Sequence, residues 1–156
     1  MLEGLIKDKD FVALMKKQMQ ELIILFFQKE QNFGILCKIE DVSFHPELPD
    51  DMHSEFRPLT LFFLAGYTFE TAKIEEGMLI FEAGFGSDNF GSVVSVPLLS
   101  ILQIIVDETP VMINTAIDEA EKVMHEENSE IDKNGVKNSM ASFLSNPENS
   151  KFIKKK

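Results

Sequence analysis

The chain has no tryptophan, one cysteine and far fewer basic than acidic side chains, and each shortage excludes a class of protein. The lone cysteine, Cys37, has no second cysteine to pair with, so no internal disulfide holds the chain together. It reads as a small buried hydrophobe in a reducing compartment. Fifteen basic residues stand against 26 acidic ones, a formal charge of −11. A surface of that sign is repelled by nucleic acid and by anionic membranes, so neither is expected as a partner. The longest apolar run is Leu22 to Phe27, far short of the roughly 20 residues of a membrane span. Glu3, Lys7, Asp8 and Lys9 interrupt the N-terminus, so no signal-peptide core is expected there. The expected location is the cytoplasm.

What is present points to one domain with a tail. The length of 156 residues suits a single core, and 44% of the residues are apolar. Fourteen phenylalanines and eight methionines indicate a soft apolar core or an apolar surface that accepts other chains.

The periodicity predicts a helix from about Phe11 to Lys29 with Asp10 as its N-cap. Phe11, Leu14, Met15, Leu22, Ile23 and Phe26 form one stripe, and Ile24, Leu25 and Phe27 carry the apolar surface further round. Two readings follow: burial within one domain, or one face on the domain and the other on a partner subunit. Gly34 suits the left-handed cap that ends the helix. Ile35, Cys37 and Ile39 then alternate as a half-buried strand, and Val42 and Phe44 continue in the opposite phase. That change of phase implies a bulge or break near Asp41.

A proline-bracketed loop is expected over 45–58, then strands over 59–65 and 68–74. Glu75-Glu76-Gly77 reads as a turn, and Met78 to Phe85 as its hairpin partner. A glycine-rich loop (86–91) and a strand (92–96) follow. Pro97 is placed at the start of a helix that stops before Pro110, and Val111 to Ile113 are read as a last short strand. The domain is thus expected to occupy 1–113. Residues 114–156 are expected to form an acidic, partly helical or flexible tail, since 118–132 hold seven acidic side chains and one lysine.

Catalytic chemistry finds little support. His45 and His53 share a loop with Asp50 and Asp51, but no second ligand pair stands at zinc spacing. Gly84 to Ser92 looks like a phosphate loop, yet it lacks Gly-Lys-Ser/Thr, carries Asp88 and leads into a strand. Cys37 and the serines have no histidine in a recognisable nucleophile motif. Glu75-Glu76 reads as a solvated hairpin turn and not as a catalytic carboxylate pair. No enzyme, no metal and no cofactor are expected.

The segment Leu59 to Ile104 resembles the stringent starvation protein B family, adaptors that deliver tagged substrates to the ClpX–ClpP protease. Leu61 and Ala65 lie in Leu-Phe-Phe-Leu-Ala-Gly, where the family has an apolar strand ending in Ala-Pro. Ile74 and the acidic turn precede Phe81 to Phe85, close to the family's Phe-x-Ala-x-Phe. Val94 to Leu98 (Val-Ser-Val-Pro-Leu) match outright, and Leu102 and Ile104 continue the pattern.

The resemblance implies a mainly β domain with flanking α-helices, a small β-sandwich or open barrel. It also implies a homodimer formed through the first helix, here Leu22, Ile23 and Phe26, and a groove that takes an extended degradation tag, especially the tag added to stalled nascent chains. The groove residues expected from it are Ala65, Gly66, Ala83, Phe85 and Phe90. Ala65 and Ala83 are small among bulky strand residues, which either admits a peptide backbone or relieves crowding between layers. On the first reading, Ala83→Glu is expected to abolish tag binding and leave the fold intact. The family's tail ends in a basic–apolar–apolar–basic motif that docks on the protease's AAA+ unfoldase, matched here by Lys151, Phe152, Ile153 and Lys154. Such a tether raises the local concentration of cargo. Three departures stand out: a longer loop after Phe85, Gly84, Asp88 and Asn89 where the family offers basic residues, and a linker that is short and less rich in proline and glycine. The alternative is a chaperone or scaffold of the same fold with another peptide ligand.

Overall fold

The computed structural model describes residues 1–117. The acidic stretch and the terminal motif from Lys151 to Lys154 lie outside the described residues.

A polar side chain sets the start of the main helix. Asp8 Oδ1 accepts hydrogen bonds from the backbone N–H of Asp10 and of Phe11, both at 3.0 Å. The N-cap is therefore Asp8 rather than Asp10, because the side-chain oxygen must sit one turn ahead of the orphan N–H groups it satisfies. It separates an unexpected short helix α1 (Leu2–Lys7) from α2 (Lys9–Gln28). Replacing Asp8 with alanine is expected to cost about 1 kcal/mol of stability, readable as a lower urea midpoint at unchanged slope. α2 ends through Glu30 in the left-handed region (φ 55°), with Gln31 N–H donating to Phe26 C=O at 2.8 Å. Gly34 does not cap the helix; it already lies in the first strand.

That strand, β1 (Phe33–Lys38), is flanked by β3 (Leu59–Leu64) and β7 (Ile101–Val106), and β8 (Thr109–Ile113) completes an antiparallel sheet in the order β3-β1-β7-β8. A central place explains why β1 is buried on both faces instead of half-buried. The break near Asp41 is a 3-10 turn (Ile39–Asp41), after which the chain crosses into a second sheet. That sheet has the order β2-β6-β5-β4, from Ser43–His45, Phe90–Pro97, Met78–Phe85 and Lys73–Glu75. The fold is mainly β with flanking helices, as expected.

Two segments differ from the sequence reading. Residues 68–74 do not form one strand: Gly66 at φ 61° turns the chain into a helical turn (Tyr67–Glu70), and only Lys73–Glu75 pairs as β4. After Pro97 there is no α-helix but a 3-10 turn (Leu98–Ser100) and then β7. Ile101, Ile104, Ile105 and Val106 are β-branched, and β7 fills the place between β1 and β8, so sheet pairing overrides the proline signal. The Glu76-Gly77 turn is as expected. Both residues have positive φ (51° and 75°), the two-residue turn that matches strand twist.

The two sheets share one core. Ile35, Cys37, Phe62 and Ile104 from the first meet Leu79, Phe81, Val94 and Val96 from the second, with the Phe62 and Phe81 rings 5.7 Å apart. Met19 and Ile23 of α2 are fully buried in the same core. Leu22 and Phe26 also pack on it, Phe26 with its ring 5.4 Å from Phe33. All three residues expected at a dimer interface pack on this core, Leu22 and Phe26 with part of their surface left open, and the exposed apolar side chains of α2 are Leu14, Ile24 and Leu25. Cys37 is buried, its Sγ 3.6 Å from Thr60 C=O. Asn114 closes the domain: its amide donates to Leu99 and Ile101 C=O, and its Oδ1 accepts from Ala116 N–H. Ile117 N–H then donates to Ile6 C=O at 2.8 Å, tying the end of the described chain to α1. No helix among the described residues is long and apolar enough to cross a membrane.

Candidate functional site

Strand alternation decides which side chains of β5 and β6 face the core and which face outward. Leu79, Phe81 and Ala83 of β5, with Ser92, Val94 and Val96 of β6, are buried between the sheets. Glu82 and Gly84 of β5 and Gly91 and Val93 of β6 therefore lie on the outer face, and the register sets Glu82 opposite Val93 and Gly84 opposite Gly91. A cleft of about 730 Å³ lies there, floored by these four residues. That volume is in the range of ligand clefts.

One wall comes from the end of β2, where His45 and Pro46 stand beside β6 with a cis peptide bond between them. Ser92 fixes this wall by donating its hydroxyl to Pro46 C=O at 2.8 Å. Ala65, Tyr67 and Thr68 form the other wall. Thr68 locks it: its Oγ1 accepts from Ala65 N–H at 2.9 Å and donates to Phe63 C=O at 2.8 Å.

Gly91 leaves its part of the floor bare, whereas the Asn89 side chain lies over Gly84. A Cβ at Gly84 would fall on the amide of Asn89, which closes one end of the cleft. A Cβ at Gly91 would meet nothing within 4 Å and would project into the open space. The floor also adjoins an unpaired strand edge. β4 pairs only with Met78 to Ile80, and among the described residues no strand runs beside β5 from Phe81 onward. Glu82 N–H points to that side and donates to Thr71 Oγ1 at 2.9 Å. Gly84, two residues on, directs its N–H and C=O the same way.

The cleft carries one carboxylate, Glu82, and no lysine or arginine among the described residues lines it. Tyr67 Oη donates to Glu82 Oε1 at 3.2 Å. This hydrogen bond, helped by the carboxylate charge, holds the Tyr67 phenol above its ordinary pKa. A raised phenol pKa favours the neutral form, so Tyr67 remains a donor throughout the neutral range and loses the bond only on strong alkalinisation.

The five residues expected to form the groove divide. Ala65 and Ala83 line the cleft, Ala83 from beneath at 9% exposure, and Gly66 adjoins Ala65 at the wall. Phe85 does not line it: its ring packs on Phe44 at 5.6 Å, Phe56 at 6.0 Å and Phe62 at 6.4 Å inside the sandwich. Phe90, opposite Phe85 in the hairpin, packs on the same core. Both alternate with outward-facing glycines, so they are turned away from the cleft. His45, Tyr67, Glu82, Gly84 and Gly91 were not anticipated there, and their signal is the Gly-x₆-Gly pair that a hairpin brings face to face. His45 and His53 do not converge: His53 stacks edge-on against Phe44 at 5.8 Å. Among the described residues no group of three or more His, Cys, Asp or Glu is gathered as a metal site. No family model matches the chain, and no curated protein or solved structure matches it.

Proposed function

We propose that the protein is a non-enzymatic adaptor that binds an extended peptide tag in the outer cleft of its second sheet and tethers the bearer to an AAA+ protease such as ClpX–ClpP. The observation that carries the reading is the floor of the cleft, where Gly84 and Gly91 face each other beside the part of β5 that no described strand pairs with. At Gly91 no side chain holds a peptide backbone away from the floor, and the main-chain groups of Gly84 at the strand edge offer it hydrogen bonds. The resemblance of Leu59 to Ile104 to the stringent starvation protein B family supports the same reading, since Ala65 and Ala83, two of its matched residues, border the cleft. The exposed Leu14, Ile24 and Leu25 of α2 are where a second copy would meet the first.

The tether is tested by deleting residues 151–156. The truncated chain is expected to bind tag peptide with unchanged affinity while losing its stimulation of tagged-reporter degradation by the protease. Stimulation that survives the deletion would leave a peptide-binding chaperone or scaffold as the better description.

A further inference from the structure

The resemblance implies a tag but not what side chains it carries, and the charge of the cleft bears on that. We infer that the cleft selects an extended segment with a lysine or arginine at the position over Glu82 and discriminates against an acidic residue there. This rests on the peptide-binding reading and names its ligand class.

Three observations carry it. Glu82 is exposed, faces outward from the middle of the cleft floor, and is the one carboxylate among the lining residues. Tyr67 donates to Oε1 only, which orients the carboxylate and leaves Oε2 open to a donor from the ligand. No lysine or arginine among the described residues lines the cleft, and its one imidazole, His45, is separated from Glu82 by Val93 in the register. The lysine on the same sheet face is Lys73 of β4, opposite Ile80, and its ammonium is paired with Glu75 at 2.9 Å. An acidic side chain laid over Glu82 would meet like charge at short range with no lysine or arginine among the described lining residues to offset it. A lysine or guanidinium would complete a charge-assisted hydrogen bond. The walls add apolar surface for the stem of such a side chain through the Tyr67 ring and Pro46.

The test is a positional scan by fluorescence anisotropy with the full chain. Peptides derived from the nascent-chain degradation tag carry one lysine, alanine or glutamate walked along the sequence. At one position, or two adjacent ones, lysine is expected to bind about fivefold tighter than alanine, the size of a single partly shielded ion pair, with glutamate weakest. The preference is expected to shrink with added salt, to vanish in Glu82→Gln, which keeps an acceptor for Tyr67, and to reverse in Glu82→Lys. Equal binding of lysine and glutamate forms at every position overturns the inference while leaving peptide binding intact. So does a lysine preference that persists in Glu82→Gln. Absence of binding by every peptide, where Gly91→Gln also has nothing to remove, overturns the peptide reading and the inference together.

Discussion

Gly91→Gln is expected to abolish peptide binding, at least about a hundredfold in affinity, with the stability of the domain changed by less than about 1 kcal/mol. The asymmetry follows from where the new atoms go. Gly91 has no neighbour within 4 Å of a Cβ position, and its φ is not in the left-handed region. A glutamine is therefore accommodated without displacing anything and without backbone strain. Its side chain leaves the sheet on the outer face, since Ser92 beside it points inward. There it occupies the floor on which a ligand backbone would lie. Glutamine adds no charge, so loss of binding reports steric exclusion and not electrostatics. The complementary position is unsuitable for this purpose, because any Cβ at Gly84 collides with Asn89 and disturbs the hairpin.

Ala83→Glu is expected to behave in the opposite way and to unfold the protein. The position is 9% exposed and lies between Phe81 and Phe85 on the inward face of β5. Ala83 shares its core with the rings of Phe44, Phe56, Phe62 and Phe85, against which the His53 ring packs edge-on. A carboxylate there is either buried with its charge or protonated at a cost, and room for its longer stem must be made in a packed core. The sum is about 3 kcal/mol or more, enough to remove a large part of the stability of a small domain. Thermal denaturation followed by circular dichroism should show a large drop in midpoint or insoluble protein. The sequence alone suggested a surface alanine whose replacement spares the fold. Lost binding in Ala83→Glu therefore says nothing about the cleft, and Gly91→Gln is the informative variant.

The contrast between these neighbours shows what the sequence carried. The hairpin itself was legible: Met78 to Phe85 alternates, Glu76-Gly77 supplies its turn, and the strand after the glycine-rich loop extends through Val96. Its register was not legible, and register decides everything about the site. Shifting the phase by one residue exchanges Ala83 and Phe85 with Glu82 and Gly84. The resemblance put Phe85 and Phe90 in the groove, yet the sandwich needs them to fill its end beside Phe44 and Phe56. The same dependence on tertiary pairing explains β7. Pro97 followed by apolar residues reads locally as a helix start, and only the vacancy beside β1 turns Ile101–Val106 into a strand. The walls escaped notice because His45 and Tyr67 approach β5 and β6 from distant points in the chain.

The most direct measurement is amide NMR shift mapping on the full chain, titrated with the tag-derived peptide carrying lysine at its preferred position. Binding in the cleft shifts Thr68, Glu82, Gly84, Gly91 and Val93 in a saturable way, and leaves Gln103 and Ile113 of the other sheet unmoved. Shifts gathered around Gln103 and Ile113, or the same cleft shifts in Gly91→Gln, would contradict a peptide site on the outer face of the second sheet.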